Sequence, residues 1–258
     1  MGLLDMPLLT VVFWRSAFAL TFTVLLLVNQ HDLRAVIGFD SHAWLASIMS
    51  ALATLFFIAA LRLTSVANVA VIHASLPLLT TIVAVVVSNE TVSGKTTSFG
   101  VLAAAGAIFI FSGSTSSGLR ILGDALALAM TSCMAVMTIA FRMSKTPTVL
   151  AMVALSNAIS MVVAASMGDS LAVTGREACL LAAFALFQMT FGLVFYAKGA
   201  RQLPPAETSL LSLVEVPLSI GSVWLAYGVS PSWQTACGGA LVLCAVVAHL
   251  VTPRNAIR

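Results

Sequence analysis

Charge is the scarcest property of this sequence. Only 8% of its 258 residues are Asp, Glu, Lys or Arg, against about a quarter in soluble domains. Apolar residues make up 60%, and mean hydropathy is +1.07. A globule of this length still leaves about a quarter of its unfolded-chain surface in water. So much apolar side chain cannot all be hidden, which excludes a soluble globular enzyme. Disorder is excluded as well, because it needs low hydrophobicity and high charge. Basic clusters are missing: 12 Lys and Arg against 9 acids give no footprint for nucleic acid. The four cysteines (Cys133, Cys179, Cys237, Cys244) lie in apolar runs without CxxC or Cys/His spacing. They read as four buried thiols, with no metal site and no cofactor. The opening MGLLDMPLL lacks the basic stretch of a cleavable signal. Met6 stands where N-myristoylation needs Ser or Thr. Strict alternation of apolar and polar residues is missing too, which argues against a β-barrel.

What is present is a series of long apolar runs. A membrane helix needs about 20 mostly apolar residues. Nine segments qualify: 8–28, 43–61, 66–87, 97–113, 121–141, 148–167, 177–197, 206–228 and 233–251. The longest polar break is NQHDLRAVIGFDSH at 29–42, so function must reside in the bundle. The fold class is therefore an all-α polytopic membrane protein. Assigning alternate loops to one side collects Arg34, Lys95, Arg142, Lys145, Lys198, Arg201, Arg254 and Arg258. The other side holds Arg62, Arg120 and Arg176, with Arg15 inside the first segment. The richer side is expected to be cytoplasmic. That places the C-terminus inside and, with nine spans, the N-terminus outside. An external N-terminus without a signal suggests a helix missing in front.

The chain also repeats itself. LRLTSVANVAVIHASLPLLTTIVAVVV (61–87) and RQLPPAETSLLSLVEVPLSIGSVWLAY (201–227) each begin with a basic loop and run as one apolar helix. Each has a proline at its middle, Pro77 and Pro217, 140 positions apart. A glycine-opened helix follows each, at Gly100 and Gly238. Five spans, an odd number, separate the copies, so they cross the membrane in opposite directions. Inverted repeats are a transporter architecture with the substrate site near the midplane. The expected division is a first repeat over 1–113 with four helices, a linker over 114–120, and a second repeat over 121–258 with five.

On these residues the chain resembles the drug/metabolite transporter superfamily, and its EamA-type members in particular. The resemblance runs from VFWRSAFAL (12–20) to the last helix. It is carried by ALRLTSVANVAVIHASLPLLTTIVAVVVSNETVSG (60–94) and ARQLPPAETSLLSLVEVPLSIGSVWLAYG (200–228). It implies ten helices, both termini inside, an inner (cytoplasmic) membrane location and transport of small metabolites. The sequence departs in lacking the first helix, and in carrying Val229 where the second-half turn often has Glu; the first half keeps Glu90.

Glu215 is the sharpest candidate, about nine residues into segment 206–228. An ionisable group at that depth must face the bundle interior or water, where desolvation favours a group that takes up and releases protons. Pro217 beside it removes a backbone donor. The group is either a proton- or cation-coupling carboxylate or a buried acid that fixes packing. His73, one turn before Pro77, is either a proton partner for Glu215 or a neutral core imidazole. Arg15 is either a snorkelling interface residue beside Trp14 or a cavity cation for anionic substrate groups. Gln188 and Tyr196, eight apart, are expected on one face, lining the pathway or bonding between helices. Asn68 and Asn157 read as interhelical glue. Glu90, Glu207 and Asp124 read as helix-end partners. Ala240, Cys244 and Ala248 form a small-residue face open to the bundle or a homodimer.

The expected function is secondary transport of a small metabolite or drug-like solute, amino-acid-like ones included. It would proceed by alternating access, with export favoured over import and protons as the candidate coupling ion. The alternatives are a truncated or partner-dependent transporter fragment and, more remotely, an intramembrane enzyme. Against an enzyme, no HExxH, GxSG or Walker loop occurs, and GSTSSG (113–118) has no strand before it.

Overall fold

A computed structural model describes residues 6–29, 38–64, 66–88, 94, 97–98, 100–102, 105, 120–167, 171–215, 218, 225 and 233–251. The described residues are helical almost throughout. Helices α1 (Leu8–Asn29), α2 (Ser41–Leu63), α3 (Val66–His73), α4 (Leu76–Ser88), α5 (Arg120–Met143), α6 (Val149–Ser166) and α7 (Gly175–Phe184) come in that order. A π-segment (Ala185–Gly192) joins α7 to α8 (Leu193–Gln202), and α9 (Pro205–Ser212) and α10 (Trp233–Val251) follow. Among the described residues, five stretches are long and apolar enough to cross a membrane: α1, α2, Ile121–Met143, α6 and the continuous Gly175–Gln202. Val162, Phe187 and Phe195 are among their many well-exposed large apolar side chains. Such a surface is stable only against lipid. The chain is an all-α, multi-pass membrane protein.

By contact the residues group into two compact units, each built from two pieces of chain. The first comprises Met1–Ala59 and Val136–Leu203; the second comprises Ala60–Ala135 and Pro204–Arg258. Two of the three boundaries fall inside α2 and α5, and the third falls between α8 and α9.

In the first unit α1 lies along α6. The buried stripe of α1 is Thr10, Val12, Arg15, Ser16, Ala19, Thr23 and Leu27, and α6 offers Ser156, Ser160 and Ala164. These small side chains let the backbones approach closely, which drives packing where no hydrophobic effect operates. Ser47 and Ser50 of α2 complete the seam. Ser47 Oγ donates to the carbonyl of Met152 at 3.1 Å, and Ser156 Oγ meets Ser50 Oγ at 2.8 Å. Asn157 is buried here, but its amide donates to Val153 of its own helix at 2.8 Å. It does not bridge helices in the way the sequence suggested.

The start of α7 is written in TGRE. Thr174 caps the helix while Glu177 reaches back to the Thr174 N–H at 2.8 Å, a reciprocal capping box. At the other end of the unit, Asp40 clamps the loop between α5 and α6. Its carboxylate accepts from Ser144 Oγ (2.8 Å), Thr146 Oγ1 (2.9 Å) and the Lys145 N–H (3.2 Å). Arg201 donates to the carbonyl of Thr146 at 2.7 Å, and Arg142 donates to that of Leu203. Partial burial alone would raise the Asp40 pKa. The hydroxyls of Ser144 and Thr146 and the N–H groups of Lys145 and Ala43 outweigh it, and the carboxyl is held well below the usual carboxylate range. A depressed folded pKa stabilises above the unfolded value of about 3.9 and stops doing so as pH falls through the folded one. Asp40→Ala should therefore cost about 2 kcal/mol at neutral pH. The penalty should shrink in strong acid, as thermal unfolding in detergent would show.

In the second unit α4 packs against α9. Ala74, Leu210, Leu213, Ala245 and Val246 form its buried core, with Leu211 and Val214 against it. The start of α5 meets the end of α2, where Thr64 Oγ1 donates to Asp124 Oδ1 at 2.6 Å. Asp124 thus ties two helices together beyond facing its own dipole.

Several sequence expectations need correction. The run 66–87 is two helices, because the chain turns at Ala74 and Ser75. The run beginning at 206 likewise stops at Ser212 and turns at Leu213 and Val214. Cys179, Cys237 and Cys244 are exposed and Cys133 is intermediate, so the four thiols are not core residues. Ala240, Cys244 and Ala248 are exposed, so of the two uses open to that face the bundle is set aside and a homodimer is left open; α10 buries Ala245 and Val246. Gly238 lies inside α10 and does not open it. Pro217, Glu90, Val229 and the Asn68 side chain lie outside the described residues, as does most of segment 97–113.

Candidate functional site

The second unit contains two interrupted apolar helices, and one ion pair joins their interruptions. The first break follows from Pro77, which has no N–H to return to the carbonyl of His73 four residues earlier. The chain tightens instead. Ser75 N–H donates to Ile72 O at 3.0 Å, and Ser75 Oγ donates to the same carbonyl at 2.6 Å. Helix α4 then restarts, with Leu78 and Leu79 donating to Ser75 O at 3.0 and 3.1 Å. Pro77 itself is buried. The second break has the same tight form: Leu213 donates to Leu210 O and Val214 to Leu211 O, each at 3.2 Å. Ser212 Oγ satisfies the carbonyl of Ser209 at 2.7 Å.

His73 is the last residue of α3, and Glu215 follows the second turn. Nε2 of His73 lies 3.3 Å from Oε1 of Glu215. The imidazole is nearly enclosed, with a side chain 11% exposed, whereas the Glu215 side chain is 65% exposed. Among the described residues, Nδ1 of His73 is buried with no hydrogen-bond partner, and the ring's polar contact there is through Nε2. A hydrogen bond from Nε2–H to Oε1 is open to the neutral ring, and a charge-assisted one to the protonated ring.

Broken helices at matching places in two halves of a sequence are where transporters build substrate and ion sites, because the freed backbone and any nearby acid face a cavity instead of lipid. A carboxylate two-thirds open at membrane depth is not left ionised against hydrocarbon. Its open side has to meet water whenever it is charged.

The other candidates lie in the first unit. Arg15 is 1% exposed, so it does not snorkel. Its Cζ stands 5.8 Å from the ring centroid of Phe184, a cation–π distance. Trp14 beside it donates Nε1–H to the carbonyl of Leu171 at 2.8 Å, which anchors α1 to the loop before α7. Tyr196 is half-buried, and its hydroxyl meets Thr138 Oγ1 at 2.6 Å. Gln188 is exposed.

Gln188 and Tyr196 do not keep the relation expected of a plain α-helix, because Gln188 lies in the π-segment. The wider π turn rotates everything after it, and such segments are frequent at functional sites. Leu193 N–H reaching back five residues to Gln188 O marks the wide turn. Phe187, Phe191 and Phe195, four apart, form a ladder with centroids 6.5 and 6.3 Å apart; that is also the spacing of neighbours on a plain α-helix, so it did not signal the wide turn.

Comparison with known proteins agrees with this architecture. The profile of the EamA-like transporter family matches residues 1–112 and 121–251. No curated protein sequence matches the chain significantly. A solved structure described only as "Crystal structure of protein" superposes with a TM-score of 0.81 at 18% identity, covering 95% of this chain and 88% of its own. At that identity it shows a shared fold alone. With both of its halves matched by one profile and its helices in that fold, the chain belongs to the EamA-like transporter family.

Proposed function

We propose that this protein is a secondary transporter that exports a small metabolite or drug-like solute across the cytoplasmic membrane, coupled to protons at the His73–Glu215 pair. The observation that carries this reading is the placement of that pair. One 3.3 Å contact links the ends of two broken apolar helices. In this reading a proton taken up by the pair tightens the tie between the two breaks. When it leaves, the charge-assisted contact weakens to the hydrogen bond of a neutral ring, and Glu215 is freer to turn to water. Family membership supports transport of a small solute. The two family matches also support inverted halves divided within 113–120. The excess of Lys and Arg puts the α5–α6 loop and the C-terminus on the cytoplasmic side.

The test is a metabolite profile of cells and medium from cultures making equal amounts of the natural chain, of Glu215→Gln, or of neither. A compound that accumulates outside only with the natural chain supports the proposal and names the solute. A compound exported equally by both proteins keeps transport and removes Glu215 from it. No compound separating any of the three cultures counts against export.

A further inference from the structure

Arg15 presents a second constellation, which the proton pair does not use. Its guanidinium lies within the apolar seam of the first unit. It packs at the level of Phe184, ten residues along the continuous helical span Gly175–Gln202. At 1.5 Å per residue that is about 14 Å from one end of the span and about 27 Å from the other. The charge is therefore deep in the bundle. Among the described residues, Nε and Nη2 are both buried with no hydrogen-bond partner. These two nitrogens are not an arbitrary pair. They form one edge of the guanidinium fork, the edge that gives two parallel N–H bonds to a carboxylate.

Two more buried groups on the packed elements lack partners among the described residues: Ser16 Oγ, next along α1, and Thr190 Oγ1 in the π-segment, which packs on α1. Burying a cation and two hydroxyls unpaired is strongly unfavourable. The ring face of Phe184 attracts the charge but accepts none of its hydrogen bonds in the guanidinium plane. The interrupted helical geometry also falls here, over Ala185–Gly192 directly after Phe184.

We infer that Arg15 is an anion-binding residue, and that its Nε–Nη2 edge takes the carboxylate of a monoanionic ligand. One positive charge in a low-dielectric seam is neutralised by one negative charge. A phosphate dianion would leave an excess behind. The fork geometry selects a planar, two-oxygen acceptor. This rests on the transporter reading for its meaning, since it makes the carried solute a carboxylate. Its test is a binding measurement that needs no flux, so the two readings fail separately.

The purified protein in detergent is titrated with sodium monocarboxylates from formate to benzoate, with their carboxamides, and with sodium chloride at matched ionic strength. Thermal unfolding is read from tryptophan fluorescence. At least one carboxylate should raise the midpoint saturably, where its amide and chloride do not. Arg15→Met should abolish that rise. Arg15→Lys keeps the charge and loses the fork, and should raise the half-saturating concentration about tenfold, one charged hydrogen bond's worth. If no carboxylate outperforms its amide, if inorganic phosphate outperforms every carboxylate, or if Arg15→Met responds as the natural chain does, the inference is overturned. Should Arg15→Met fail to fold, an unchanged half-saturating concentration in Arg15→Lys overturns it equally.

Discussion

Glu215→Gln should yield a protein that inserts and purifies normally but no longer moves its solute in response to a pH gradient. Glutamine keeps the length of the side chain and can still touch His73, so the steric link between the two breaks survives. What it loses is the ability to give up a proton. The site is 65% exposed, and substitutions at such positions usually stay within about 0.5 kcal/mol. Thermal unfolding in detergent should barely shift. In proteoliposomes loaded with the solute singled out by profiling, pH-driven flux should fall to the level of protein-free vesicles. Exchange of labelled solute at equal pH on both sides should persist. Retention of the pH-driven component would reduce the His73–Glu215 contact to packing.

The largest stability effect is expected from Gly123→Ala. Gly123 lies in the first turn of α5, against the end of α2. A methyl group there would stand 2.7 Å from the Thr64 amide nitrogen and 2.8 Å from the Leu63 carbonyl carbon. Backbone, not a yielding side-chain tip, is in the way. Overpacking costs about 1–3 kcal/mol. Pushing the elements apart also breaks the 2.6 Å bond from Thr64 to Asp124, a charged hydrogen bond worth about 1.5–3 kcal/mol. The combined loss of about 2.5–6 kcal/mol is a large part of an ordinary stability of about 5–15 kcal/mol. Gly199→Ala is the control. Nothing lies within 4 Å of its added methyl, and alanine in a helix interior gains up to about 1 kcal/mol. Unfolding midpoints that move together in the two variants would contradict this account of the α2–α5 contact.

Much of this architecture is legible in the chain, because lipid leaves few choices. Apolar runs such as 8–28 and 148–167 have to be helices, and their structural bounds differ by only a residue or two. Pro77 and the depth of Glu215 point to the break and to the acid beside it. His73 could be named because it stands one turn from Pro77. The rest escapes for definite reasons. A π turn inside an apolar run changes rotation without changing composition, so Gln188 and Tyr196 looked coplanar. Asp40 has no motif; its importance comes from Ser144, Lys145 and Thr146, more than a hundred residues away. Gly123 reads as an ordinary helix residue until Thr64 is placed against it. Exposure of Cys179, Cys237 and Cys244 could not be read from hydrophobicity, because lipid-facing and core positions are equally apolar.

The interleaving of the two compact units sets a timetable for biogenesis. Helix α1 is complete at Asn29, but its partner α6 does not begin until Val149. At about 5–20 residues per second, a ribosome needs about 6–24 s to span that interval. Throughout it the seam of Ser16, Ala19 and Thr23 faces nothing, and Arg15 adds an insertion penalty of about 2.5–3.5 kcal/mol before Phe184 exists to cover it. The early helices therefore have to wait beside the insertion machinery, or in the hands of a membrane chaperone, until the second half arrives. A nascent chain arrested within residues 114–120 should be a substrate for membrane proteases. The same fragment should be rescued when residues 121–258 are supplied from a second message.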